Sequence, residues 1–375
     1  MIRFVDRKGT NSYKWDMKVE GAPDDVIPMW VADMDFAVPD EILKAMRKRL
    51  EHGVFGYTFA PDEYFQSISE WWKERHGIDI KKDWIVHVPG VVAGIATALL
   101  SFTREGDGVI VQPPVYWPFF STIEKNDRRV IENPLLEENG YYTVDLDDLR
   151  SKLERSKAFL LCSPHNPVGR VWKEEELSEL VEVLKSFDGV VISDEIHMDF
   201  VFSGKFKSLV EFEKIHEKLI VLSAPNKTFN VPGLKGGYAI IPSSDLRKRF
   251  EDKLKALHIS SPNPFIIEAT ISAYRYGKPW LDELLKYIRS NFEMVKEKLE
   301  STGKVNVKIP EGTYLMWLDF RKSGLKDPFR DVLKAGVWLQ DGRIFRKGEG
   351  FLRMNVATSK EILQRALDRI VKVLG

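Results

Sequence analysis

The chain reads as an α/β protein built on a mostly parallel sheet, and two observations predict this. Seven short apolar runs, at residues 85–88, 109–112, 129–132, 158–162, 190–194, 219–223 and 238–241, have the length and unbroken hydrophobicity of strands buried on both faces. Helical patterns fall between them at 92–102, 119–125, 146–153 and 173–187. In the last of these Leu177, Leu180, Val181 and Leu184 share one face. Strands alternating with helices imply crossover connections, and a sheet covered by helices.

The flanking segments differ. Residues 27–39, IPMWVADMDFAVP, carry prolines and aspartates without a helical period. They read as an extended arm, or as a lead-in to a helix at 41–50. Gly53 and Gly56 bracket an aromatic turn that includes Tyr57, ahead of an amphipathic helix at 62–76. Beyond residue 241 come long helices (246–257, 265–276, 280–299), short strands (305–309, 315–319, 351–355) and helices at 328–335 and 360–374. This predicts a smaller α+β domain packed with the arm. The expected division is 1–44 arm, 45–278 large domain and 279–375 small domain.

Composition limits the possible partners. The chain has 375 residues, 43% of them hydrophobic, enough for a substantial core. Lys plus Arg and Asp plus Glu are 56 each, so bulk charge recruits neither nucleic acid nor a membrane. The longest apolar run is about ten residues, around Val91 to Leu100, too short to span a bilayer. Cys162 is the one cysteine, and the N-terminus is charged without an apolar signal core. These features predict a cytoplasmic protein.

Chemistry is expected where strands end, because ligands on such sheets sit beyond the carboxyl ends. The stretch VLSAPNKTFNVPGLKGGYAII places Lys227 in a turn between two buried strands. Burial there would disfavour the ammonium form and free the amine as a nucleophile towards carbonyls; an exposed loop lysine is the plain alternative. Pro89-Gly90-Val91-Val92 turns from strand to helix, so its main-chain N–H groups could meet an anion, or simply form a turn. Tyr116 follows Pro113-Pro114 and offers a ring face or mere packing. Asn166, between Pro164 and Pro167, suits an orienting hydrogen bond as well as a turn. Asp194 ends an apolar run and needs a cation, such as a protonated pyridine nitrogen, or a core salt bridge. His197 is near enough to reach the same ring. Arg353 lies inside an apolar strand and needs a planar anion, either a structural Asp or a substrate carboxylate.

In order and spacing, Gly90, Tyr116, Asn166, Asp194, Lys227 and Arg353 together resemble the fold-type I pyridoxal 5'-phosphate (PLP)-dependent aminotransferase superfamily, class I/II, over nearly the whole chain. The resemblance implies the PLP-dependent transferase fold of type I. It implies that Lys227 makes the covalent link to PLP, Asp194 pairs with the pyridine nitrogen, Asn166 bonds the ring 3'-oxygen and Tyr116 stacks on the ring. Gly90, Val91, Val92 and Lys235 would hold the phosphate, with Tyr57 of a neighbouring subunit in a homodimer with shared sites. Arg353 and Ala32 would border the substrate, with Arg353 on its α-carboxylate.

Departures narrow the family. His197 stands where aminotransferases usually carry Tyr, and Lys235 where they usually carry Arg. Ala224 and Pro225 separate Ser223 from the lysine, which puts that serine in doubt as a phosphate ligand. The text PMWVADMDF, FGYT, PGVV, DEIHMD and NKTFNVPGL is similar to the MalY/PatB branch of cystathionine and cysteine-S-conjugate β-lyases. The expected activity is carbon–sulfur β-elimination. Transamination would use the same residues, and a PLP-binding regulator of a transcriptional activator would retain them.

Overall fold

A computed structural model describes residues 2–375. The seven strands form one sheet: β1 (Ile85–Val88), β2 (Gly108–Val111), β3 (Arg129–Glu132), β4 (Ala158–Cys162), β5 (Val190–Asp194), β6 (Leu219–Ser223) and β7 (Gly237–Ile240). Their order across the sheet is β1-β7-β6-β5-β4-β2-β3. All neighbours are parallel except β7, which runs antiparallel to both β1 and β6.

Alternate residues along the central strands feed two cores. Phe159, Leu161, Val191 and Val221 join a large cluster on one face; Leu160, Ile192 and Leu222 join a second on the other. This is why the strands are apolar throughout: neither face meets water. Helix Val91–Phe102 covers the second face with Ile95, Ala98 and Leu99. It lies so close to the sheet that a Cβ at Gly94 would come within 2.6 Å of Leu222.

The C-terminal third forms a four-stranded antiparallel sheet in the order Asn306–Val307, Leu315–Asp319, Phe351–Asn355, Gln340–Asp341. The long helix Lys278–Glu300 and the final helix Lys360–Leu374 pack with it through Leu284, Ile288, Leu363 and Leu367. From the arm, Ile27–Pro28 pairs in parallel with Val337–Trp338. Among the described residues no helix is long and apolar enough to cross a membrane, and no group of His, Cys, Asp and Glu side chains is placed to hold a metal ion.

Candidate active site

Strand register brings the site together. Cys162 pairs with Asp194, and Asp194 pairs with Leu222, so the carboxyl ends of β4, β5 and β6 lie side by side. Above them opens a cavity of about 390 Å³ lined by Asp194, His197, Lys227, Asn166, Tyr116 and the turn from Pro89 to Ala93, with Ala32 and Lys235 also on its wall.

Asp194 is buried, and its carboxylate accepts one hydrogen bond, from the Ile196 N–H at 3.1 Å. Among the described residues no cation forms an ion pair with it. Burial pushes its pKa from the ordinary 3.8 to about 7, against the Ile196 N–H and the charge of Lys227. His197 is also buried, with Nδ1 unpartnered and its ring edge-on to Tyr314. Burial, then the positive charges of Lys227 and Arg353, hold this imidazole well below its usual pKa, hence neutral.

Lys227 stands on the short helix Pro225–Thr228 directly after β6. Its Nζ donates to the Ala32 carbonyl at 2.6 Å. Burial brings the pKa down from 10.5 to about 8; Asp33 opposes this, Arg353 adds to it, and Asp194 opposes it. The amine between two buried strands is therefore desolvated, as its setting in the sequence suggests.

At the other end of the cavity Gly90 caps helix Val91–Phe102 with φ +149°, a conformation that L side chains rarely adopt. The first helical N–H groups border the cavity here with Lys235, an arrangement suited to a phosphate. Ser223 does not join them: its hydroxyl is turned to the Glu195 carbonyl and Met198 sulfur, at 3.4 and 3.6 Å. Tyr116 lies on the wall, edge-on to Phe119, with its pKa pushed up to about 12 by burial and by Asp194.

Arg353 sits behind this wall. It donates to Asn166 Oδ1 at 3.1 Å and to the Trp30 carbonyl at 2.6 Å, while its Nε has no partner. Among the described residues no carboxylate forms an ion pair with it, so the structural aspartate that the sequence left open is not there. Burial lowers its pKa from 12.5 to about 10, with Tyr116 and Tyr314 opposing.

The arm completes the enclosure. Ala32 O accepts from both Lys227 and Tyr314, the latter at 2.8 Å. Asn355 Nδ2 reaches Val31 O and Asp33 O at 2.5 and 2.6 Å, and Asn230 Nδ2 reaches Met34 O and Phe36 O at 2.9 and 2.8 Å. Of the sequence-predicted residues two do not line the cavity: Arg353, behind its wall, and Tyr57, fully exposed beside Val54, Phe55 and Phe59.

Sequence reasoning missed Asn226 and Tyr314. Asn226 Nδ2 holds Gly236 O at 2.8 Å, and its buried Oδ1 is unpartnered at the cavity. Its place beside Lys227, behind an apolar strand, was the available signal. Nothing in the text around Tyr314 marks it.

The set fits PLP on its own chemistry. A buried carboxylate without a cation, a desolvated amine, an N–H-rich helix end and unpartnered polar atoms on Asn226 and His197 match a ring cation, a carbonyl and a phosphate.

The fold and site define an α/β protein with a lysine-centred cofactor cavity, and comparisons with known proteins identify the family. The model for aminotransferase class I and II matches residues 24–370. Cystathionine beta-lyase PatB of Bacillus subtilis is 41% identical, over 99% of this chain and 98% of that protein. Protein MalY of Escherichia coli is 32% identical, over 99% and 98%. Cystalysin from Treponema denticola, whose crystal structure contains pyridoxal 5'-phosphate, superposes with a TM-score of 0.93 at 37% identity, covering 99% of this chain and 98% of that one. The chain belongs to the aminotransferase class I and II family and has the fold of type I PLP-dependent enzymes.

Proposed function

We propose that the protein is a PLP-dependent carbon–sulfur β-lyase, cleaving cystathionine or related cysteine S-conjugates to a thiol, pyruvate and ammonia. The observation that carries this is full-length similarity to a cystathionine β-lyase at 41% identity.

Bound PLP supplies an electron sink for the charge left at the substrate's α-carbon. Lys227 would hold the cofactor covalently and, as a free amine, would take the substrate's α-proton on Nζ; a pKa of about 8 keeps part of the amine neutral near pH 7. Asp194 pairs with the ring cation and so holds the proton there. Asn166 has its Oδ1 engaged by Arg353, which leaves its NH2 as the donor to the ring oxygen. Tyr116 and His197 border the ring. Gly90, Val91, Val92 and Lys235 hold the phosphate, joined by Tyr57 from a second copy of the chain. Arg353 takes the substrate carboxylate with Ala32 alongside. The Cβ–S electron pair leaves with the thiolate, and water completes the release of pyruvate and ammonia.

The same reading makes the active unit a homodimer, supported by the exposed aromatic loop at Tyr57. It divides the chain at 1–44, 45–278 and 279–375, supported by the pairing of Ile27–Pro28 with Val337–Trp338. A single buried cysteine supports a cytoplasmic location.

The test supplies cystathionine or an S-alkyl cysteine without any keto acid. Sustained release of pyruvate and thiol is expected. One turnover that resumes only on adding 2-oxoglutarate would mark an aminotransferase and sink the lyase reading.

A further inference from the structure

A helix of one turn does not hold itself, because nucleation fixes several residues in return for one hydrogen bond. Lys227 stands on such a turn, Pro225–Thr228, closed by Phe229 N–H to Pro225 O at 2.9 Å and Val231 N–H to Asn226 O at 3.1 Å. The side chains on either side of the lysine supply the rest. Asn226 ties the turn to Gly236, and the Thr228 hydroxyl donates to Asp199 Oδ2 at 2.6 Å.

Asp199 is 1% exposed. Its carboxylate is also approached by Trp71 Nε1, at 3.2 and 3.3 Å, and by His76 Nε2, at 2.9 Å from Oδ1. A carboxylate taken out of water is costly unless its lone pairs are used, and here three side chains use them. β5 presents Asp194 to the cavity from its last position, and the loop that follows carries Asp199 to the lysine turn. Trp71 and His76 come from the helical segment at 62–76, far from the cavity in the chain.

We propose that Asp199 is a positioning residue for Lys227. Braced by Trp71 and His76, it anchors Thr228 and so fixes where the Lys227 amine stands. The inference rests on the assignment of Lys227 as the cofactor-linked, proton-transferring residue. Displacement of a reacting group by about 1 Å is enough to slow a reaction by orders of magnitude.

The test uses the PLP-loaded enzyme and reads two quantities: the kinetics of S-alkyl cysteine cleavage, and the pH midpoint of the bound cofactor's visible absorption band. Thr228→Val keeps the side-chain shape and removes the hydroxyl. Its kcat should fall roughly tenfold with KM within about twofold, and the band midpoint should shift. Thr228→Ser should recover most of both. Asp199→Asn should act through the same hydrogen bond, so the double variant should lose little beyond the worse single variant. Wild-type kcat and band midpoint in Thr228→Val, or additive losses in the double variant, would overturn the proposal. If Asp199→Asn does not fold, Thr228→Val decides alone, since it leaves the Trp71 and His76 contacts in place. A wild-type enzyme with no cofactor on Lys227 would instead remove the functional reading beneath it.

Discussion

The carboxyl ends of β4 to β6 and the loop around Tyr57 invert the usual rule in opposite senses. The first hides charge: Asp194, His197 and Arg353 are 4, 3 and 3% exposed. The second leaves Val54, Phe55, Tyr57 and Phe59 in water at 61, 52, 111 and 81%. A buried ionisable group without a counter-charge and an exposed cluster of large apolar groups are both unfavourable until something binds. The floor of the cavity is polar and enclosed, which suits a small polar molecule. The loop is apolar and open, which suits a protein surface.

Breaking the floor should have the largest effect. Lys227→Ala should lower lyase turnover by at least about 10³-fold. Borohydride reduction of the wild type, followed by peptide mass mapping, should place the pyridoxyl group on Lys227; a label on another lysine would contradict the assignment. Arg353→Ala comes next. Loss of a buried charged partner costs roughly 2–5 kcal/mol, and steady-state kinetics should show it as a raised KM. An unchanged KM would mean that the guanidinium serves only Asn166 and Trp30.

The loop is tested by mixing. Subunits carrying Lys227→Ala, co-assembled with subunits carrying Tyr57→Phe, should regain about a quarter of wild-type activity, because half the dimers are hybrids with one intact site each. No recovery from two impaired parents would show that the sites are not shared.

The smallest effect sharpens the account of the floor. Folded Asp194 keeps its proton up to about 7 rather than 3.8, and Glu195, buried beside it, up to about 8 rather than 4.5. Across those windows the folded chain binds more protons than the unfolded chain, so stability is lost as pH rises. Buried His87, His165 and His197, held below their usual 6.5, act in the opposite sense below about pH 6.5, and Lys227, lowered from 10.5 to about 8, does so above about pH 8. Thermal unfolding of cofactor-stripped protein should therefore show Tm falling between about pH 6.5 and 8, above the range in which the histidines oppose the acids. The slope should flatten in Asp194→Asn or on adding PLP, and a flat wild-type profile would refute the buried-acid account.

Much of this was legible in the sequence because buried strands are continuous apolar runs. The expected boundaries of β4, β5 and β6 match those observed, and Asp194 and Lys227 could be read from where those runs stop. What escaped lacks a local period. The pair Ile27–Pro28 and Val337–Trp338 is two residues long on each side, and its partners are distant in the chain. The hairpin Leu136–Glu138 with Tyr141–Thr143 is not among the expected elements, although Asn139-Gly140 between its strands is a turn signal. The helix expected over 62–76 is α-helical to Trp71 and continues as a π-helical turn to His76, a change in backbone hydrogen bonding that side-chain pattern does not record. Tyr314 and Asp199 act through contacts with remote segments, which composition and spacing cannot reveal.

The segment from Trp30 to Phe36 is held largely by its carbonyl oxygens, which Arg353, Asn355, Lys227, Tyr314 and Asn230 grip in turn. A carbonyl is the same in every residue. At Val31 and Ala32 the anchorage is therefore indifferent to the side chain, unlike at Asp33 and Asp35, whose carboxylates pair with Arg7 and Lys14, and either of the first two can be exchanged while the frame stays pinned. Such a wall is a natural place for selection to retune which thioethers are accepted, because its outline can be rewritten without disturbing the residues that perform the cleavage.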